Sequence, residues 1–206
     1  MGDSGTYAFY GDAGNNPIAA LDDKTPTANE ESWANTGTIT AAHSGQSSAG
    51  SHGYTVDIAD GANLRLHFTP SDSASVESTT EAALVYTGME NIEIGVAMGD
   101  NNSSTSAVEN TNLYAVYTMG SMKLGVQANE QDSEAANSGT DFIAYGVSYQ
   151  INDDVAVSYN YSEVDYENTS LSTQEAQGIS VSWTNGSATI AASTHQVDAA
   201  AGTAAN

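Results

Sequence analysis

Five carboxylates, Asp12, Asp22, Asp23, Glu30 and Glu31, fall in one long polar stretch near the start of the chain. No catalytic motif ties them together, so the first chemistry open to them is electrostatic. Set in a narrow passage, such a group concentrates cations and excludes anions, because low-dielectric walls focus its field. That focusing outlasts the screening that removes surface effects beyond about 10 Å at 0.1 M salt. On an open surface the same residues are a solvated acidic loop, and Lys24 among them tempers their charge locally. A second set, Arg65, His67, Glu93 and Lys123, occupies the polar phase of alternating apolar and polar stretches. Arg65 and Lys123 are two of the 3 basic residues in the chain. Facing the loop acids across a passage, they would set up a transverse field that orients dipolar solutes. The plainer reading pairs each with a neighbouring carboxylate on a wet wall.

Clustered oxygens, Asp22 with Asp23, Glu30 with Glu31 and Asp153 with Asp154, are candidate Ca²⁺ ligands, without the spaced acidic pattern of an EF-hand loop. Catalysis finds little support. His43, His52, His67 and His195 have no partner at zinc spacing, and there is no HExxH, G-x-S-x-G, Walker A or G-x-G-x-x-G motif. Strand carboxylates such as Glu93 and Glu163 have nothing to select them as a glycosidase pair. The expectation is a protein that is not an enzyme and holds no cofactor, a structural Ca²⁺ being the open alternative.

The elements that would position these groups are strands. In residues 141–161, Ile143, Tyr145, Val147 and Tyr149 alternate with Ala144, Gly146 and Ser148. Val155, Val157, Tyr159 and Tyr161 then alternate with Ala156, Ser158 and Asn160. Strand side chains point to opposite faces in turn, so this is a hairpin of two half-apolar strands joined through Asn152-Asp153-Asp154. The pattern recurs at 5–10, 52–59, 63–69, 81–88, 91–98, 111–118, 121–128, 176–183 and 187–194, with the phase of 111–118 open. Asn185-Gly186 is a strong hairpin turn. Short turns near 60–62, 88–90, 119–121, 151–154 and 184–187 alternate with long polar loops at 11–50, 70–80, 99–110, 129–140 and 162–175. Short connections at one end and long ones at the other predict an all-β, antiparallel up-and-down transmembrane β-barrel. A sandwich with Greek-key crossovers would break that order.

Composition agrees. Nothing marks a boundary within residues 1–206, which read as one domain. With 26 Asp+Glu against 3 Lys+Arg the net charge is −23, which repels nucleic acid and attracts cations. The absence of Cys excludes disulfides and thiolate metal sites. No apolar run approaches the roughly 18 residues of a membrane helix, and the first residues carry no signal-peptide pattern. A hydrophobic share of 39 % is low for a packed soluble domain and fits a sheet whose second face meets water. Tyr7, Tyr54, Tyr86, Tyr117, Tyr149, Tyr159, Tyr161 and Trp183 fit aromatic girdles, although aromatics favour strands in any case.

The stretches Leu84-Val85-Tyr86-Thr87-Gly88-Met89-Glu90-Asn91-Ile92, Tyr145-Gly146-Val147-Ser148-Tyr149 and Gly178-Ile179-Ser180-Val181-Ser182-Trp183, with the acidic insertion from Leu21 to Trp33, resemble the general porins of Gram-negative outer membranes, above all their acidic alphaproteobacterial and marine branch. The resemblance implies a sixteen-stranded, trimeric barrel whose third outer loop folds inside as a constriction. Loop 11–50 falls where that loop would. Asp12, Asp22, Asp23, Glu30 and Glu31 would then form the acidic side of the constriction, and Arg65, His67, Glu93 and Lys123 the lumen wall. On this alignment the chain is a fragment of about eleven strands, lacking the first four and the last. Unpaired strand edges do not persist in a bilayer, which agrees with a missing remainder. The implied function is passive, cation-preferring diffusion of small hydrophilic solutes through the outer membrane, with its lipid and two further copies as partners. A second reading is a secreted or surface-anchored acidic β-protein, an adhesin or matrix module binding Ca²⁺ or glycans. Such a protein needs no aromatic girdle.

Overall fold

Each alternating stretch becomes a strand because one of its faces is apolar and its backbone groups must pair laterally. The computed structural model describes residues 5–11, 16–21, 23–34, 50–71, 77–101 and 107–203. The strands are β1 (Thr6–Tyr10), β2 (Ser51–Ala59), β3 (Ala62–Thr69), β4 (Thr79–Met89), β5 (Ile92–Asn101), β6 (Val108–Met119), β7 (Met122–Ser133), β8 (Thr140–Asn152), β9 (Val155–Tyr166), β10 (Gln174–Asn185) and β11 (Ala188–Asp198). Every strand pairs antiparallel with its neighbours in sequence, giving an 11-stranded meander whose edges are β1 and β11. Short 3₁₀ turns at Ala19–Leu21 and Ala200–Gly202 are the described helical elements. Among the described residues no helix is long and apolar enough to cross a membrane.

Four of the short turns use the left-handed backbone common in tight hairpins, at Gly61, Asn91, Gly120 and Gly186. The turn between β4 and β5 lies one step later than the predicted 88–90: β4 runs through Met89, and Asn91 takes a φ of 64°. Asn tolerates that conformation better than most residues because its side chain bonds locally.

The outward face is apolar. Leu113, Val126, Tyr145, Tyr159, Ile179 and Ile190 are all exposed on it, as are Tyr117, Tyr149 and Trp183 close to the short-turn end. On β8 the outward apolar positions run from Ile143 to Ile151. At roughly 3.3 Å per residue and with the tilt of barrel strands, that is of the order of the 25 Å apolar band of an outer-membrane barrel. Above it the outward residues change abruptly to carboxylates set directly opposite one another. Glu109 pairs with Asp132, Glu130 with Asp141 and Asp141 with Asp165, and Glu175 lies between Glu163 and Asp198. Like charges at paired positions oppose the sheet, so these rows belong in water beyond the apolar band.

Strands therefore extend past the predicted limits at their long-loop ends, β7 to Ser133 and β9 to Tyr166. The ladder of backbone hydrogen bonds continues after the apolar period has stopped. The open phase of 111–118 also resolves: Tyr114 is inward and 2 % exposed, whereas Leu113 and Tyr117 point out.

Candidate functional site

The inward face is polar, yet the most deeply buried groups of the chain are there. Many of them are buried by the segment 16–34, which crosses the inner wall. Its first foot is apolar: Ile18 and Leu21, 0 % and 1 % exposed, pack on Ala83 of β4, Ala97 of β5 and Tyr114 of β6. Its second foot is Trp33, which meets Phe142 edge-on at 5.3 Å and packs with Ala144 and Val164 on β8 and β9.

Between the feet the segment is held by side chains of the wall. Ile18 N donates to Glu81 Oε2 (3.2 Å), and Asn112 Nδ2 donates to Ile18 O (3.3 Å). Gln127 accepts from Lys24 N (2.8 Å) and donates to Leu21 O (3.4 Å). Asn160 Nδ2 donates to Pro26 O (3.2 Å). Thr27 Oγ1 lies 3.3 Å from Ser158 Oγ and 3.2 Å from Ser180 Oγ, which are 2.6 Å apart. Ser158 Oγ accepts from Ala28 N, and Asn29 Nδ2 donates to Ser193 Oγ on β11. The segment thus touches side chains of every strand from β4 to β11.

Close approach demands small wall residues. A Cβ added at Gly125 would stand 2.3 Å from Pro26 Cδ, and one at Gly146 would stand 2.9 Å from Thr25 Cβ. The two glycines are directly paired across β7 and β8, and together they form a floor on which Thr25 and Pro26 rest.

The packing sorts the segment's residues. Ile18, Leu21, Thr25, Pro26, Ser32 and Trp33 are buried against the wall, whereas Asp23 and Glu30 are exposed and Glu31 is half-buried. The carboxylates are therefore carried on the side away from the wall. Asp23 Oδ1 accepts a long hydrogen bond from Trp33 Nε1 (3.4 Å), which ties the acidic side to the second foot. Asp12 and Asp22 lie outside the described residues. Of the predicted wall residues, Arg65 is half-buried with Nε on Asn63 Oδ1 (3.1 Å), and Lys123 is exposed. Glu93 accepts a hydrogen bond from Tyr114 (2.7 Å). His67 shares their face but is only 3 % exposed, with Nε2 3.0 Å from Ser51 Oγ and the Tyr10 ring beside it. It is a packed residue rather than a wetted one. Lys24 Nζ sits 5.5 Å from the centre of the Tyr114 ring, a cation–π contact. Among the described residues no group of three or more His, Asp or Glu side chains is arranged to hold a metal ion. At the Asp153-Asp154 turn, Asn152 Oδ1 takes the backbone N–H of Asp154 and Val155.

Burial pushes the Glu31 carboxyl above its ordinary value, and the charges of Asp23 and Glu30 add to the rise. The sign follows from linkage. A carboxyl raised in the docked state favours docking while protonated, so its contribution is fullest below its free pKa and is lost as pH rises through the docked one. Hydrogen exchange of the Ala28 and Ala34 amides should therefore quicken as pH rises through that window, after correction for the intrinsic rate. Glu31→Gln should abolish this extra pH dependence.

Residues not anticipated include Glu81, Asn112 and the Ser158–Ser180 hydroxyl pair. The signals that point to them are glycine inside strands, which marks close approach of another backbone, and a row of small polar residues recurring in one phase.

No protein-family model and no curated protein sequence matches the chain. Solved structures do match in fold. Outer-membrane expressed OmpT of Vibrio cholerae is similar with a TM-score of 0.69 at 17% identity, over 94% of this chain and 66% of that one. The in-vitro folded OmpT of the same organism, in its trimer form, has a TM-score of 0.68 at 17% identity and the same coverage. A porin refined at 1.8 Å is similar with a TM-score of 0.59 at 16% identity, over 92% of this chain and 67% of that one. The chain spans about two thirds of the length of the structures it resembles, and its fold is that of an outer-membrane β-barrel.

Proposed function

We propose that the chain forms most of a porin: a water-filled barrel in a bacterial outer membrane that passes small hydrophilic solutes, prefers cations, and assembles with two further copies. The observation that carries the reading is the segment 16–34, strapped across the polar inner face with Asp23 and Glu30 turned away from the wall. A loop in that place narrows a lumen, and carboxylates on its free side give the narrowing a negative potential. Arg65 and Lys123 on the wall supply the opposite sign. The outward apolar band fits outer-membrane lipid, and the inward Ser, Thr, Asn and Gln fit water. The reading is of a passive channel, not an enzyme, and nothing in it needs a cofactor.

The test is the reversal potential of the protein in a planar bilayer under a KCl gradient. The expected result is a potential on the cation side that shrinks when Asp23, Glu30 and Glu31 are together changed to Asn, Gln and Gln. Anion preference of the unchanged protein would overturn the selectivity. Absence of conductance, with folding from water without detergent, would overturn the channel and favour a surface-exposed acidic β-protein.

A further inference from the structure

One part of the inner wall brings both signs of charge together away from the segment's acids. Asp57 on β2 lies directly opposite Asn63 on β3, and Thr55 lies opposite Arg65 on the same face. Arg65 Nε donates to Asn63 Oδ1 (3.1 Å), and Asn63 Nδ2 donates to Asp57 Oδ1 (2.8 Å). A single amide thus uses its acceptor on the guanidinium and its donor on the carboxylate. Standing between them, it keeps the two charges from closing into a pair that would cancel them. The guanidinium and the carboxylate are thus separated by the width of one amide and its two hydrogen bonds. Among the described residues no carboxylate is hydrogen-bonded to the guanidinium.

Two adjoining recesses share Asn63 and Val85. The one holding Arg65 has a volume of about 340 Å³ and is lined also by Tyr10, Thr55 and the segment's Pro17, with no carboxylate among the described lining residues. The other, about 610 Å³, holds Asp57 and Asp60.

We infer that these recesses bind small zwitterions of the α-amino acid class as they pass along the lumen. The solute carboxylate lies on the Arg65 guanidinium, whose fork matches it with two hydrogen bonds, and the Tyr10 and Thr55 hydroxyls line the same space. The ammonium lies on Asp57. A chain of charge −23 disfavours a free anion in its lumen, but a carboxylate that brings its own ammonium carries no net charge to repel. Both charged groups border open space, so binding is weak enough for release, as a channel requires.

The inference rests on the channel reading, and its test separates the two. Saturation-transfer NMR on the complete protein folded in detergent would compare L-alanine, propionate and propylammonium. The expected result is transfer to alanine well above either singly charged analogue. Arg65→Gln and Asp57→Asn should each weaken alanine binding about tenfold, the low end for losing a hydrogen bond to a charged group. Arg65→Lys, which keeps the charge and loses the fork, should fall between and controls for misfolding. Equal transfer to all three solutes, or alanine binding that survives both neutralisations, overturns the inference. If the unchanged protein conducts ions yet shows no alanine preference, the recess fails and the channel stands. If it does not conduct, the channel reading fails, and with it the passage of solutes past this wall.

Discussion

Deleting residues 18–33 is expected to raise single-channel conductance severalfold and to remove most of the cation preference. The segment is the described part of the chain that crosses the inner face of the sheet, and it carries Asp23 and Glu30 on its free side with Glu31 half-buried beside them. The barrel wall should survive the deletion. Segment and wall are joined by side chains, whereas the strands are joined by an unbroken backbone ladder from β1 to β11. What the deletion uncovers, Ala83, Ala97, Tyr114, Phe142 and Val164, faces water rather than lipid and leaves the outward apolar band intact. Single-channel recording with the reversal potential in the same membrane checks both parts. Unchanged conductance would mean that the segment does not limit the current, and the proposed constriction would be wrong.

Trp33→Ala should have the largest effect of any single substitution in the segment. Trp33 is 5 % exposed and makes an edge contact with Phe142 at 5.3 Å. Truncating a buried Trp costs about 3–5 kcal/mol. Each hydrogen bond of the segment contributes only about 0.5–1.5 kcal/mol, so the second foot outweighs any one of them. At 1.4 kcal/mol per factor of ten, the loss shifts docking of that end by a hundredfold or more. The expected record is a noisy current that steps between narrow and wide levels. Hydrogen exchange should be faster at Ala28 N, which donates to Ser158 Oγ, and little changed at Ile18 N, which the first foot protects. Trp33→Phe keeps an aromatic edge against Phe142 and should restore most of the quiet current. A quiet current in Trp33→Ala would place the anchor elsewhere.

The strands were legible because lipid on one side and water on the other impose period two. Their upper limits were not. At Glu130, Asp132 and Asp165 the outward residue is a carboxylate, so the apolar period ends while backbone pairing goes on. Strand 111–118 was ambiguous for a related reason. Leu113, Tyr114, Val116 and Tyr117 put bulk on both faces, and Tyr114 can point inward only because Ile18 and Leu21 cover it. The acids of the segment could be found by charge alone. The partners that hold it could not, since Thr27 meets Ser158 and Ser180 across 131 and 153 residues and no local pattern records such a contact. His67 shows the opposite limit. Period two places it on the inward face, but carries no record of the Ser51 hydroxyl and the Tyr10 ring beside it.

The span of the segment has a consequence in time. Asn29 reaches Ser193 across 164 residues, and Thr27 reaches both β9 and β10. Hairpins of adjacent strands close short loops and form early, whereas contacts so distant in sequence carry a large closure entropy. The second half of the strap has nowhere to settle until β8 to β11 are in place. Wall first and strap last is the order that these sequence separations favour.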